Sequence, residues 1–126
     1  MVVLDANVVL GAATSNVGFK PFGRAELVAP PLLWPEARSA LHVAVHRRLI
    51  SVEAGTRALG ILESGPVGER KHRHLGRESW RIADELGWAK TYDAEYLALA
   101  KLLDAKLVTF DRRLARAAER LGVATF

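Results

Sequence analysis

Cysteine is absent from the 126-residue chain. That removes disulfide frameworks, cysteine-ligated zinc, iron–sulfur clusters and thiol nucleophiles, and it agrees with a reducing compartment. Long apolar runs are missing too. The most apolar stretch, Leu27 to Trp34, is short and interrupted by Pro30 and Pro31, well below the roughly 20 residues that span a bilayer. The chain opens on Met1-Val2-Val3-Leu4 with no basic segment before it, so neither a signal peptide nor membrane attachment is expected, and a cytoplasmic location is. No glycine–lysine phosphate loop and no Gly-x-Ser-x-Gly occur, which argues against a nucleotide-hydrolysing switch and against a serine hydrolase of the α/β type. No repeat, low-complexity tract or linker interrupts the chain. A single domain over residues 1–126 is expected.

The composition is that of a globular domain: 50% hydrophobic and 25% charged. Such a length buries roughly two thirds of the surface the unfolded chain exposes, so no metal or disulfide is needed for folding. Lys and Arg number 18 against 14 Asp and Glu, a net charge of +4. Arginine supplies 13 of the 18 cations, and its guanidinium fork matches phosphate oxygens, so a polyanionic partner fits the charge.

Periodicity sketches the elements. Val2-Val3-Leu4 reads as a strand ending in the turn chemistry of Asp5-Ala6-Asn7. Residues 11–24, with three glycines and Pro21, read as a loop or a poorly formed helix, and Leu27-Val28-Ala29 as a short strand. Trp34 to Leu49 is helical, with Ala37, Ala40, Leu41, Ala44 and Val45 on one stripe. Ser51 caps a helix to about Leu62, and Gly65-Pro66 breaks the pattern. A helix runs from about Gly76 to Leu86 with Gly87 as its stop. Thr91 or Asp93 starts a helix to Leu103 that is apolar nearly all round and therefore central. Lys106 to Phe110 is a strand, Asp111 begins a helix ended by Gly122, and Val123 to Phe126 makes a final strand. Alternation of apolar strands with helices predicts an α/β fold with a parallel sheet covered on both faces.

Four carboxylates stand out by position. Asp5 and Asp111 sit where predicted strands stop, and Glu36 and Asp93 sit in first turns of helices. The carboxyl ends of parallel strands form the ligand crevice of such sheets, so Asp5 and Asp111 share an edge, and the other two join them if their helices start there. Clustered carboxylates raise one another's pKa unless a counter-charge relieves them. Magnesium and manganese are hard ions suited to carboxylate and water oxygens, and they support phosphoryl displacement. An acidic pocket in an arginine-rich domain therefore suggests metal-dependent cleavage of a nucleic acid. Taken singly, Glu36, Asp93 and Asp111 are also good helix N-terminal residues, and Asp5 a good turn residue.

The joint pattern resembles the PIN-domain family. Val2-Val3-Leu4-Asp5-Ala6-Asn7 is similar to the family's opening, and Pro35-Glu36-Ala37-Arg38-Ser39-Ala40-Leu41 to its second acidic helix. Thr91-Tyr92-Asp93-Ala94-Glu95-Tyr96-Leu97-Ala98-Leu99-Ala100 is similar to its most recognisable segment. Leu107-Val108-Thr109-Phe110-Asp111-Arg112-Arg113-Leu114 resembles its last acidic block. The bacterial VapC toxins, equally short, are the nearest branch. The resemblance implies a three-layer α/β/α fold with a short, mostly parallel sheet, and a Mg2+- or Mn2+-dependent ribonuclease that cuts structured RNA. It implies Asp5, Glu36 and Asp93 as core metal ligands, Asp111 as a more peripheral fourth acid, and Asn7 and Thr109 as polar residues supporting them. It also implies silencing by a cognate VapB-like antitoxin. In one respect the chain departs from the branch: between Ala6 and Leu27 it is shorter and richer in glycine than the usual helical hairpin, so the upper rim of the site is expected to differ.

Other signals complete the reading. Arg70-Lys71-His72-Arg73-His74, followed by Arg77 and Arg81, is the densest basic run and a candidate RNA path. His42 and His46 have the i, i+4 spacing of a zinc pair, but no glutamate follows His42 and both lie opposite the apolar stripe, which favours an exposed or subunit-contact role. Trp34, Trp80 and Trp88 read as core or interface residues, and a homodimer is expected. Two alternatives are a catalytically silent PIN-like module that binds RNA or protein, which intact acids at all four positions disfavour, and a phosphoacceptor signalling domain. The second needs paired acids after the first strand, and Asp5 stands alone there.

Overall fold

The computed structural model describes all 126 residues. The elements in chain order are β1 (Val2–Leu4), α1 (Ala6–Thr14), a 3-10 turn (Lys20–Phe22), β2 (Leu27–Ala29), α2 (Leu33–His46), α3 (Val52–Ser64), β3 (Gly68–Glu69), α4 (Leu75–Leu86), α5 (Tyr92–Leu102), β4 (Lys106–Val108) and α6 (Arg112–Arg120). The four strands form one parallel sheet in the order β3-β2-β1-β4. Every residue of β1 and β2 is buried, as strands covered on both faces must be. Helices α1, α2 and α3 pack on one another, while α4, α5 and α6 form a second group in which α5 lies against β1 and β4. The result is the three-layer α/β/α arrangement.

Helix α5 is the structural centre. Tyr96 to Ala100 are each at most 1% exposed, because this helix meets the sheet on one side and α4 and α6 on others. Fully burying a leucine such as Leu97 or Leu99 contributes roughly 1.5–3 kcal/mol. Its neighbour α4 stops at Gly87, whose φ of +70° is the left-handed C-cap that glycine adopts without strain. Helices α2 and α3 approach closely at Gly55, where an added Cβ would stand 2.3 Å from Val45 Cγ2.

Several sequence expectations are corrected. Asp5-Ala6-Asn7 is not a turn between strand and loop: Asp5 caps α1, which runs without break through Thr14. Thus residues 11–24 are helix first, then turns with a 3-10 segment at Pro21. The terminal strand shrinks to a single parallel bridge between Leu107 and Thr125. Helix α2 starts at Leu33 and ends at His46, and Ala40, read as part of its apolar stripe, is exposed, leaving Leu33, Ala37 and Leu41 as its buried residues. Strand β3, exposed and only two residues long, had no sequence signal. Trp80 is 72% exposed, which removes the core half of its reading as a core or interface residue. His42 and His46, by contrast, are exposed as expected.

Candidate active site

The sheet's register builds the site. Leu4 of β1 pairs with Val108 of β4, and the ladder extends one bond further, from Asp5 N–H to Val108 C=O at 3.3 Å. That places Asp5 beside Thr109 just past the carboxyl ends of two adjacent strands. The Thr109 hydroxyl donates to Asp5 Oδ2 and accepts from the Asp111 N–H at 3.0 Å, so one side chain ties the two aspartates together. Asp5 Oδ1 accepts from Val8 N–H at 3.1 Å. Asp111 caps α6 through Arg113 N–H (2.8 Å) and Leu114 N–H (3.2 Å). Capping and convergence are thus the same geometry here: the cap fixes the carboxylate where the strand delivers it.

The other two acids arrive from helix starts at the same edge. Strand β2 leads through Pro30 and Pro31 into α2, whose first turn carries Glu36. Asp93 and Tyr96 are three apart on α5, hence on one face. The Tyr96 hydroxyl donates to Glu36 Oε1 at 2.7 Å, clamping the glutamate to the most buried helix. Asp5, Asn7, Glu36, Asp93 and Asp111 line one pocket of about 180 Å³, with Ala40 and Tyr96 among its walls. The structure brings the four carboxylates and Asn7 together there, with Thr109 behind Asp5.

The electrostatics are those of an acid cluster lacking relief. Asp5 is 7% exposed. Burial raises its pKa, the bonds from Thr109 and Val8 oppose that rise, and the charges of Asp111 and Asp93 add to it. Glu36 is raised chiefly by burial, against the Tyr96 bond and with help from Asp93 and Asp5. Glu95, a fifth acid that the sequence reading passed over, is raised by burial and by Glu36. Tyr96 is pushed far upward, mainly by burial and then by its bond to Glu36, so its hydroxyl stays a donor. No Lys, Arg or His forms an ion pair with Asp5, Glu36 or Glu95.

Hard carboxylate oxygens without a cationic side-chain partner are the donor set that magnesium or manganese takes. The acids are spread around the pocket, and as they stand no three of them form a closed ligand cage. Each spends oxygen on the protein: Asp5 both of its own, on Thr109 and the Val8 N–H, Glu36 one on Tyr96, Asp111 one on the α6 cap and Asp93 one on Arg113 at 2.9 Å. The donor chemistry therefore fits a divalent ion.

The basic run lies elsewhere. None of Arg70, Lys71, Arg73, Arg77 or Arg81 lines the acidic pocket. Arg70 pairs with Glu26 at 3.2 Å, Lys71 lies 3.9 Å from Glu69, and Arg81 bonds both Glu78 and Glu85. Arg73 donates to His74. The sequence reading instead missed Arg113, whose only flag was its place two residues after Asp111. It also missed Tyr96, flagged by its i+3 spacing from Asp93.

Comparison with known proteins agrees with this construction. Residues 2–120 match the PIN domain family. A VapC ribonuclease of Mycobacterium bovis and the ribonuclease VapC9 of Mycobacterium tuberculosis are each 33% identical to this chain over 116 residues, which cover 91% of it and 89% of each relative. Among solved structures, PAE2754 from Pyrobaculum aerophilum superposes with a TM-score of 0.73 at 27% identity, over 92% of this chain and 83% of that one. FitAcB from Neisseria gonorrhoeae shares the fold, with a TM-score of 0.66 at 17% identity over 100% and 96% of the two chains. The acidic edge, its order along the sequence and these likenesses agree: the chain belongs to the PIN domain family, among its VapC-like members.

Proposed function

We propose that this chain is a metal-dependent endoribonuclease and the toxin of a toxin–antitoxin pair. The observation that carries the reading is the buried Asp5 and the half-buried Glu36, held at the sheet edge without a cationic partner. Carboxylates strained in this way cluster at functional sites. The 33% identity to VapC ribonucleases supports RNA as the substrate.

In this reading Asp5, Glu36 and Asp93 hold Mg2+ or Mn2+, with Asp111 at the rim. Once bound, the ion supplies charge neutralisation for the phosphodiester and acidifies water. The chain's own residues do the rest. Thr109 and the Val8 N–H orient Asp5, and Tyr96 orients Glu36 while leaving its Oε2 free of protein hydrogen bonds. That free oxygen faces the place where an ion or its water would sit. Hydrolysis breaks one P–O ester bond and leaves a phosphate on one fragment and a hydroxyl on the other. Asn7, exposed beside the acids, is placed to hydrogen-bond the substrate. The partner that silences the enzyme is a VapB-like antitoxin, the working form is a homodimer, and RNA in the cytoplasm is the target.

The test has two arms. Purified protein incubated with total RNA is expected to cut it with Mg2+ and to stop with EDTA, and cleavage that persists in EDTA would overturn the metal assignment. Expression of the chain alone is expected to arrest growth, with relief on co-expressing the adjacent small open reading frame. A harmless chain at verified expression, active on RNA in vitro, would leave the nuclease standing and remove the toxin role.

A further inference from the structure

A second cleft, of about 430 Å³, opens beside the acidic pocket and shares Glu36 and Asp93 with it. Its remaining walls differ in character: Trp88, Lys90, Tyr92 and Arg113, with Ala89 between. The acidic pocket, at about 180 Å³, is below the roughly 300–1,000 Å³ that receives small organic ligands, whereas the cleft falls within that range. Two rings and two cations next to a hydrolytic centre are the chemistry of nucleotide recognition, stacking for the base and charge for the phosphate.

We infer that this cleft binds the RNA nucleotide adjoining the scissile phosphate, with Arg113 and Lys90 on its phosphate and the Tyr92 ring on its base. The inference rests on the ribonuclease reading and deepens it. Arg113 carries most of the argument. Its guanidinium lies 4.4 Å from the centre of the Trp88 ring while donating to Asp93 Oδ2 at 2.9 Å. The indole face holds the cation in the cleft by a contact independent of Asp93. The backbone of Arg113 is fixed by the Asp111 cap, and its side chain is 56% exposed. A side chain anchored in this way can leave Asp93 for a phosphate without leaving the site. Tyr92, 56% exposed at the first position of α5, offers an open ring, whereas Trp88 is already covered by Arg113. No residue of the basic run 70–81 lines this cleft.

The experiment uses full-length protein carrying Asp5→Asn, which prevents cleavage, and a fluorescein-labelled random 20-nucleotide single-stranded RNA. Affinity is measured by anisotropy across a salt series. Adding Arg113→Gln is expected to weaken binding and to flatten the log–log salt slope by about 0.7, the share of one phosphate contact on a single strand. Tyr92→Leu is expected to lower affinity about 5- to 100-fold with the slope unchanged. Arg57→Gln on α3, an equal loss of charge far along the chain, is expected to change neither. Circular dichroism confirms that each variant is folded. Binding by the parent with both cleft variants unchanged in affinity and slope overturns the inference, leaves the ribonuclease reading intact, and gives the cleft to a protein partner. If the wild type neither cuts nor binds RNA, the ribonuclease reading fails and takes the inference with it.

Discussion

Two regions of this molecule concentrate charge of one sign, and they are built in opposite ways. The acidic pocket gathers residues from positions 5, 36, 93 and 111, far apart in sequence, at the carboxyl edge of β1 and β4 and the starts of α2 and α5. The basic run packs five cations into residues 70–81, yet Glu26, Glu69, Glu78 and Glu85 answer three of them. Sequence density marks the second region and topology marks the first. Charges that the fold assembles and leaves unpaired cost stability, so their persistence points to use. Charges that neighbouring residues cancel at the surface contribute little in either direction. Position relative to strand ends is therefore a better guide to chemistry than local charge.

Breaking the acidic side should have the largest effect. Asp5→Asn and Asp93→Asn are expected to fold and to lose about three orders of magnitude in RNA cleavage, since a charge pair at ~4 Å is worth ~4 kcal/mol at an effective dielectric of 20. Thr109→Val keeps the volume but removes the hydroxyl that joins Asp5 to Asp111. It is expected to cost about 10- to 100-fold, as residues that orient metal ligands do. Initial rates at saturating Mg2+ rank the three, and a Thr109→Val rate equal to wild type would show that Asp5 is oriented by its α1 cap alone.

The basic side should yield much less. If Arg70, Lys71 and Arg73 each met a phosphate, neutralising all three would flatten the salt slope by about 2. With Arg70 held by Glu26 and Lys71 near Glu69, the triple glutamine variant is expected to shift the slope by less than about 0.7. A slope change near 2 would erase the contrast between the regions and extend the RNA path to β3 and α4.

The same contrast explains what was legible in the sequence. Strands β1, β2 and β4 and the buried helix α5 were readable because apolar side chains crowd into runs there, and each acid followed one of those runs or opened a helix. Helix α1 was not, because Asp5-Ala6-Asn7 serves equally as a turn and as a helix N-terminus. What adds to the local Val8 cap is the Thr109 bond, which exists only once β4 is in place. Strand β3 rests on pairing of Val28 with Gly68 and Ala29 with Glu69, which no periodicity in two exposed residues announces. Arg113 looked like any surface arginine of an amphipathic helix. Its partners, Asp93 and Trp88, lie some 20 residues away and meet it only because α5 and α6 pack together.

The smallest expected effect is on stability, and its sign separates a functional cluster from a structural one. Burial, followed by the charges of Asp93 and Asp5, raises the Glu36 carboxyl despite the bond from Tyr96. Above about pH 4.3, where an unfolded glutamate has released its proton, the folded chain still retains some of its own. The folded state thus binds more protons than the unfolded state, and stability falls as pH rises through this window. Beyond the raised pKa the ionised group is a constant destabilising load. Glu36→Gln removes that load and keeps an oxygen to accept from Tyr96. In EDTA at pH 7 the variant should melt a few degrees above wild type, and the gap should narrow as the pH falls and the Glu36 carboxyl takes up its proton. Mg2+ at pH 7 should narrow the gap from the other side by stabilising wild type and not the variant. A Glu36→Gln protein that melts lower at pH 7, with no response of wild type to Mg2+, would make Glu36 a structural partner of Tyr96 rather than part of a functional cluster.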